Sequence, residues 1–336
     1  MSGPDPSENY TIGWICVLAK EQTAAIMMLD KVHGDICKKS NDPNSYTLGS
    51  IGQHNVVIAC LPLNRGRSHT VATIAVWLTS TFPSIRLCML VGIGSGIPPK
   101  VRLGDVVAGV EWQLGEHKAH EKTAKTSHPP SILLSALTKL ESLHEMYGSK
   151  VSEYLIKVRE NERLAQKYLV SDALRDPLFE EDHEKIGEKH ANSAAASDVN
   201  DSLWRMGFAQ NTNPEPREPR IHYGLIASSG SSVEDKATRD NLDSIHGSRR
   251  LLCIDKVVSD LADDFPCIVI RGICDYADER RRDCKGWEEP AAAVSAAFAK
   301  EVLSVLLEVE VAGLPTIKSR GSDIRSSDFQ LDFFFD

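Results

Sequence analysis

Residues 268–278 read IVIRGICDYAD, an apolar run that ends on acids. A continuous apolar strand, as opposed to an alternating one, belongs to a sheet covered on both faces. Open α/β sheets carry their sites at the carboxyl ends of such strands, and there this one reaches Asp275. Asp275 is therefore the first candidate for chemistry. The competing role for it is the cap of the next helix.

Working outward, further runs rich in Val, Ile and Leu occur at 11–18, 46–51, 55–62, 87–91, 105–110, 221–227 and 267–271. Between them, 21–32 and 70–79 carry apolar residues at helical spacing (Ala24, Ala25, Met28, Leu29; Val71, Ile74, Ala75, Leu78). Alternating strands and helices predict a three-layer α/β/α fold around a twisted, mostly parallel central sheet. A last helix is expected from Ala291 to about Val311, after Pro290. The predicted organisation is a disordered N-terminus over 1–9 and a single domain over 10–312. That domain carries a charged insertion at about 145–220, read as helices followed by a mobile loop. A tail over 313–336 ends in FQLDFFFD, whose phenylalanines need a partner surface.

The chain has 336 residues and is 42% hydrophobic, enough for a large core. Its formal charge of -9, with no basic block, argues against a nucleic-acid partner. The polar start has no signal-like apolar core and no run reaches membrane-spanning length, so a soluble cytoplasmic protein is expected. Cys16, Cys60, Cys88, Cys253, Cys267 and Cys274 lie in or beside apolar runs and read as packed thiols. No metal spacing is present; His117 and His120 lack a third ligand, and no cofactor is expected.

Taken together, IGWICVLAKEQTAA, STFPSIRLCMLVGIGSGIP, RLGDVVAG, IHYGLIASS and FPCIVIRGICDYAD resemble the nucleoside phosphorylase and nucleosidase superfamily, in particular its fungal purine and uridine phosphorylase-like branch. The resemblance covers roughly residues 10–310 and implies a twisted sheet flanked by helices, in a homo-oligomer. It also implies that Asp275 is the general acid that protonates N7 of a departing purine, and that Glu21 in VLAKEQ activates water. The alternative for Glu21 is an ordinary acidic residue at a helix N-terminus, and the resemblance puts the catalytic role slightly ahead. Within VGIGSG, Gly92, Gly94 and Ser95 would form a glycine-rich turn walling the pocket. Arg65 and Arg67 in LNRGRSHT are candidates for phosphate, a solvent-facing basic turn being as probable.

The departure from the family lies in the ribose clamp. LCIDKVVSDL places Asp255, Lys256 and Val257 where the family has Glu, Met and Glu, and Val257 cannot accept a hydrogen bond from a ribose hydroxyl. The base loop ASSGSSVED, with Ser231 as its candidate contact, lacks an aromatic or amide reader. Three readings follow for a small-molecule substrate. Slightly ahead stands a repurposed enzyme performing a cofactor-free cyclisation or isomerisation, of pericyclic or Diels–Alder type, in natural-product biosynthesis; Asp275, Arg271 or Lys256 would polarise a carbonyl. Next is a nucleosidase or phosphorylase with Asp275 as acid and water or phosphate as nucleophile. A non-catalytic ligand-sensing module comes third, because the chain ends soon after the domain.

Overall fold

The computed structural model describes residues 6–36, 38, 41–62, 70–114, 125–171, 174–178, 218–228, 233, 235–245, 251–255 and 265–319. The strands among them are β1 (Ile12–Cys16), β2 (Lys31–Val32), β3 (Tyr46–Ile51), β4 (His54–Cys60), β5 (Leu87–Gly96), β6 (Val106–Leu114), β7 (Lys125–Ser127), β8 (Ile221–Ser228), β9 (Leu251–Asp255) and β10 (Cys267–Tyr276). The α-helices are α1 (Ala19–Met28), α2 (Val71–Thr81), α3 (Ser131–Tyr147), α4 (Val151–Ile156), α5 (Glu162–Tyr168), α6 (Lys236–Ile245), α7 (Glu288–Val305) and α8 (Glu308–Ala312).

All ten strands join one sheet, and the three-layer α/β arrangement is as predicted. The pairing is more evenly mixed than predicted. β1–β4, β1–β5, β5–β10, β6–β8 and β8–β9 are parallel, whereas β2–β3, β3–β4, β5–β9, β6–β7 and β6–β10 are antiparallel. Because β5 pairs with both β9 and β10, the strands β5, β10, β6, β8 and β9 close a five-membered ring. That ring brings the last residues of β5, β9 and β10 together.

Side chains alternate between two apolar layers, which explains the unbroken apolar runs. Ile12, Trp14, Ile268 and Ile270 pack with Ala24, Ala25 and Met28 of α1 and with the buried length of α7. Ile15, Val17, Cys267 and Val269 pack instead with Val71, Ile74, Ala75 and Leu78 of α2. Every residue of α7 from Pro290 to Leu303 is buried. Its alanines let the helix lie close to the sheet, and Pro290 sits in the first turn, where a missing N–H costs nothing. A Cβ on Gly272 would lie 1.9 Å from the Ala291 carbonyl oxygen, which as backbone cannot step aside. Gly272→Ala is expected to destabilise the protein by about 1–3 kcal/mol or more, read as a lowered denaturation midpoint.

Several boundaries differ from the sequence reading. VGIGSG is not a turn: β5 runs on through Gly96, because β10 pairs along it as far as Tyr276. Helix α1 ends at Met28, since Asp30 N–H and His33 N–H pair with the carbonyls of Ser50 and Leu48 and draw the chain onto the sheet edge. The last helix breaks at Leu306, whose carbonyl accepts a hydrogen bond from buried His54 Nε2 at 3.0 Å. Pro6–Asn9, predicted disordered, form a 3₁₀ turn with Ser7 buried. Helices α4 and α5 occupy the start of the charged insertion; its predicted loop and the phenylalanine-rich tail lie outside the described residues.

Asp105 ties the starts of β6 and β8 together. Its carboxylate takes His222 Nε2 at 2.8 Å and the backbone N–H groups of Arg220 and Arg102, both at 3.1 Å. Burial pushes this carboxyl up, but His222, Arg102 and the two N–H groups outweigh it and hold it below the usual aspartate value. A depressed folded value gives stability that is complete above the unfolded value, about pH 3.9, and is lost as pH falls through the folded one. Asp105→Asn should flatten that acid limb in an unfolding-versus-pH series, whereas wild type should keep it.

Candidate active site

The carboxyl ends of β1, β5 and β10 and the last residue of β9 hold a buried cluster of acids and arginines. Glu21 lies in the first turn of α1. Its Oε2 accepts the N–H groups of Val17 at 2.7 Å and Leu18 at 2.9 Å, and its Oε1 accepts Ile93 N–H at 2.9 Å. The side chain thus caps its own helix and reaches across to β5. It can do so because Gly92 has no side chain: a Cβ there would lie 2.2 Å from Glu21 Oε1. Burial pushes the Glu21 carboxyl up; Arg271 and the three N–H groups pull it back only in part.

Arg271 is 1% exposed. Its Nε donates to Asp255 Oδ2 at 2.5 Å, Nη2 also faces that oxygen, and Nη1 donates to the carbonyls of Leu90 and Ile270 at 3.3 Å each. Burial works against its charge, but Asp255 and Glu21 more than restore it. Arg271 is thus a buried cation held between two carboxylates. The sequence reading made Arg271 and Asp255 substrate contacts; in the structure their functional groups pair with each other. Gly94 likewise makes room for protein, since a Cβ would lie 2.6 Å from Cys253 Sγ.

Asp275 stands opposite Ser95 of β5, just past a register shift between Ile273 and Asp275. An extra residue in one strand bends it and re-aims the side chains that follow. Asp275 is 9% exposed, and Arg281 Nε lies 3.0 Å from its Oδ2. Ser95 is half-buried. Neighbouring Cys274 is a packed thiol, pushed up by burial and then by Asp275, Glu288 and Cys253.

Glu21 and Asp275 thus meet β5 at Ile93 and Ser95, two residues and about 7 Å apart along the strand. Arg65, Arg67, Ser231, Lys256, Val257, His117 and His120 lie outside the described residues. Among those described, no three His, Cys, Asp or Glu side chains are grouped to hold a metal. A cleft of about 360 Å3 lies between α3 and α7, lined by Leu140, Tyr147, Glu301 and Val305, and takes no part in this cluster. The sequence reading missed Arg281, although DERRRD directly after the acid was a visible signal.

Solved structures share this fold. The 5'-methylthioadenosine/S-adenosylhomocysteine nucleosidase of Neisseria meningitidis matches with a TM-score of 0.54 at 15% identity, over 88% of this chain and 99% of that one. Futalosine hydrolase of Helicobacter pylori matches with a TM-score of 0.52 at 14% identity, over 89% and 99%. The chain has the nucleoside phosphorylase/nucleosidase fold. No family model matches it. A nucleotide-binding leucine-rich repeat (NLR)-like protein of Hyaloscypha variabilis is 34% identical over an aligned length of 318 residues that covers 89% of this chain. The chain spans only 30% of that relative's length. No helix among the described residues is long and apolar enough to cross a membrane.

Proposed function

We propose that this chain cleaves the N-ribosyl bond of a purine nucleoside by hydrolysis. The observation that carries the reading is the pair of buried carboxyl side chains, Glu21 and Asp275, set two residues apart along β5 at the strand ends. Glu21 takes a proton from water, and the hydroxide oxygen bonds to the anomeric carbon. The carbon–nitrogen bond breaks with its electron pair passing into the base, and Asp275 donates a proton to N7. Free base and sugar leave, and solvent returns Glu21 and Asp275 to their starting protonation states. Burial suits Glu21 to its part, because a raised carboxyl is a stronger base than an exposed one. Arg271 and Asp255 act as positioning residues that fix Glu21 and β10. Gly92 and Gly94 shape the floor, and Ser95 faces the substrate beside Asp275.

The fold neighbours are named as nucleosidases and a hydrolase, and their names support this reading over a repurposed cyclase. The cyclase reading rests on Val257 and the base loop and has no further support. Release of free base from purine and pyrimidine nucleosides and methylthioadenosine, with and without phosphate, tests the proposal. Phosphate-independent release is expected. Release only with phosphate would replace water by phosphate as nucleophile, and silence across the panel from folded protein would sink the reading.

The NLR-like relative favours a second reading, in which this fold is one module of a longer protein and binds a nucleoside-like ligand without turning it over. Tight binding of methylthioadenosine with no product after prolonged incubation would select it.

A further inference from the structure

After Tyr276 the chain passes through Ala277 and Asp278 into a 3₁₀ turn, Glu279–Asp283. Asp278 is fully buried and fixes this turn: its Oδ1 accepts Arg280 N–H at 3.0 Å, and its Oδ2 takes Arg239 Nη1 at 2.5 Å and Arg280 Nη2 at 2.9 Å. Three arginines follow one another here with different fates. Arg280 turns back to Asp278 and lies 5.9 Å from the centre of the Tyr276 ring. Arg282 is exposed. Arg281 reaches forward, its Nε 3.0 Å from Asp275 Oδ2, with 32% of its side chain open to solvent. Among the described residues, the thiols of Cys253, Cys274 and Cys284, all pushed up by burial first, also lie around the acid, with the carboxylates of Glu288 and Asp176 beyond them. Among the described residues, Arg281 is a cation in direct contact with it.

This pairing conflicts with the role given to Asp275. A carboxylate beside a guanidinium is held ionised and only accepts hydrogen bonds, whereas a general acid must carry a proton. We infer that Arg281 is a latch on the acid: in the ligand-free site it holds Asp275 as a carboxylate, and an arriving purine displaces the guanidinium so that Asp275 takes up the proton it later donates. This rests on the reading of Asp275 as the acid. The base removes both the cation and the water around the carboxyl, and each change favours the neutral form. The exposure of Arg281 gives it solvent to withdraw into. Arg281 is a positioning residue, because it acts on the substrate through Asp275.

The test is a pH titration of the aspartate carboxyl carbons by NMR in wild type, Arg281→Met and Arg281→Lys, with Asp275→Asn to assign the signal. Methionine keeps the apolar stem and removes the charge. The Asp275 midpoint is expected to rise by about one pH unit in Arg281→Met, a tenfold gain in protonated fraction at neutral pH, and to return toward wild type in Arg281→Lys. Calorimetry at pH 7 with adenine as the probe should then show binding tightened by about the same factor in Arg281→Met. An unchanged midpoint overturns the latch, and adenine binding in that case leaves the N-ribosyl reading standing. A raised midpoint with adenine bound by neither protein overturns the N-ribosyl reading, and with it the displacement step, while the ion pair itself is upheld.

Discussion

Asp275→Asn should lower release of free base by about 10²–10⁴-fold, the usual range for loss of a general acid, with the fold intact. Asparagine keeps the size of the side chain and can still donate a hydrogen bond to N7, but it has no proton to give up. The loss should therefore fall on kcat and leave KM little changed, since base and sugar contacts remain. Substrates whose leaving group needs no protonation give the sharper reading. A nitrophenyl riboside departs as a stable anion, so its cleavage should be far less sensitive to Asp275→Asn than that of a purine nucleoside. Equal losses on both substrates would remove Asp275 from the acid's role.

Asp255→Ala is the substitution expected to cost most in stability, about 3–5 kcal/mol by chemical denaturation. It leaves the guanidinium of Arg271, 1% exposed, with Glu21 as its remaining carboxylate. Removing both charges at once should cost much less, because a buried ion pair roughly balances its desolvation against its attraction. The double variant Asp255→Leu, Arg271→Met should thus recover most of the lost stability. It should nevertheless lose activity: without Arg271 the main charge pulling the Glu21 carboxyl down is gone, and Glu21 would hold its proton at the pH where it must accept one. Stability regained together with activity would show that Arg271 and Asp255 serve folding alone.

Much of the fold was legible because local chemistry carried it. The apolar runs at 11–18 and 267–271 predict buried strands, and each does alternate between the α1/α7 layer and the α2 layer. Pro290 and the residues after it predict a last helix from Ala291, and α7 is there. Boundaries failed where a distant partner decided them. Nothing near Leu306 breaks a helix, yet His54, far away in sequence, bonds its carbonyl. The glycines of VGIGSG signal a turn by composition, but β10 and β9 keep them extended.

The site divides in the same way. From the sequence alone, an acid could be placed at the carboxyl end of a buried strand and another at the start of the first helix, because strand ends and helix caps are set by nearby residues. Only the tertiary structure decided what each charge meets. Arg271 reads as a free cation in IVIRGICDYAD, and it is the closing of the β5–β10–β6–β8–β9 ring that turns it onto Asp255. Gly92 reads as a loop residue, and it is the return of Glu21 from α1 that occupies its missing side chain. Arg281 went unread in the sequence, and it is Asp278 that pins the turn from which it reaches Asp275. Pattern along a chain reports which surfaces must be buried, whereas the partner of a buried charge is set by strands that meet only once the sheet has formed.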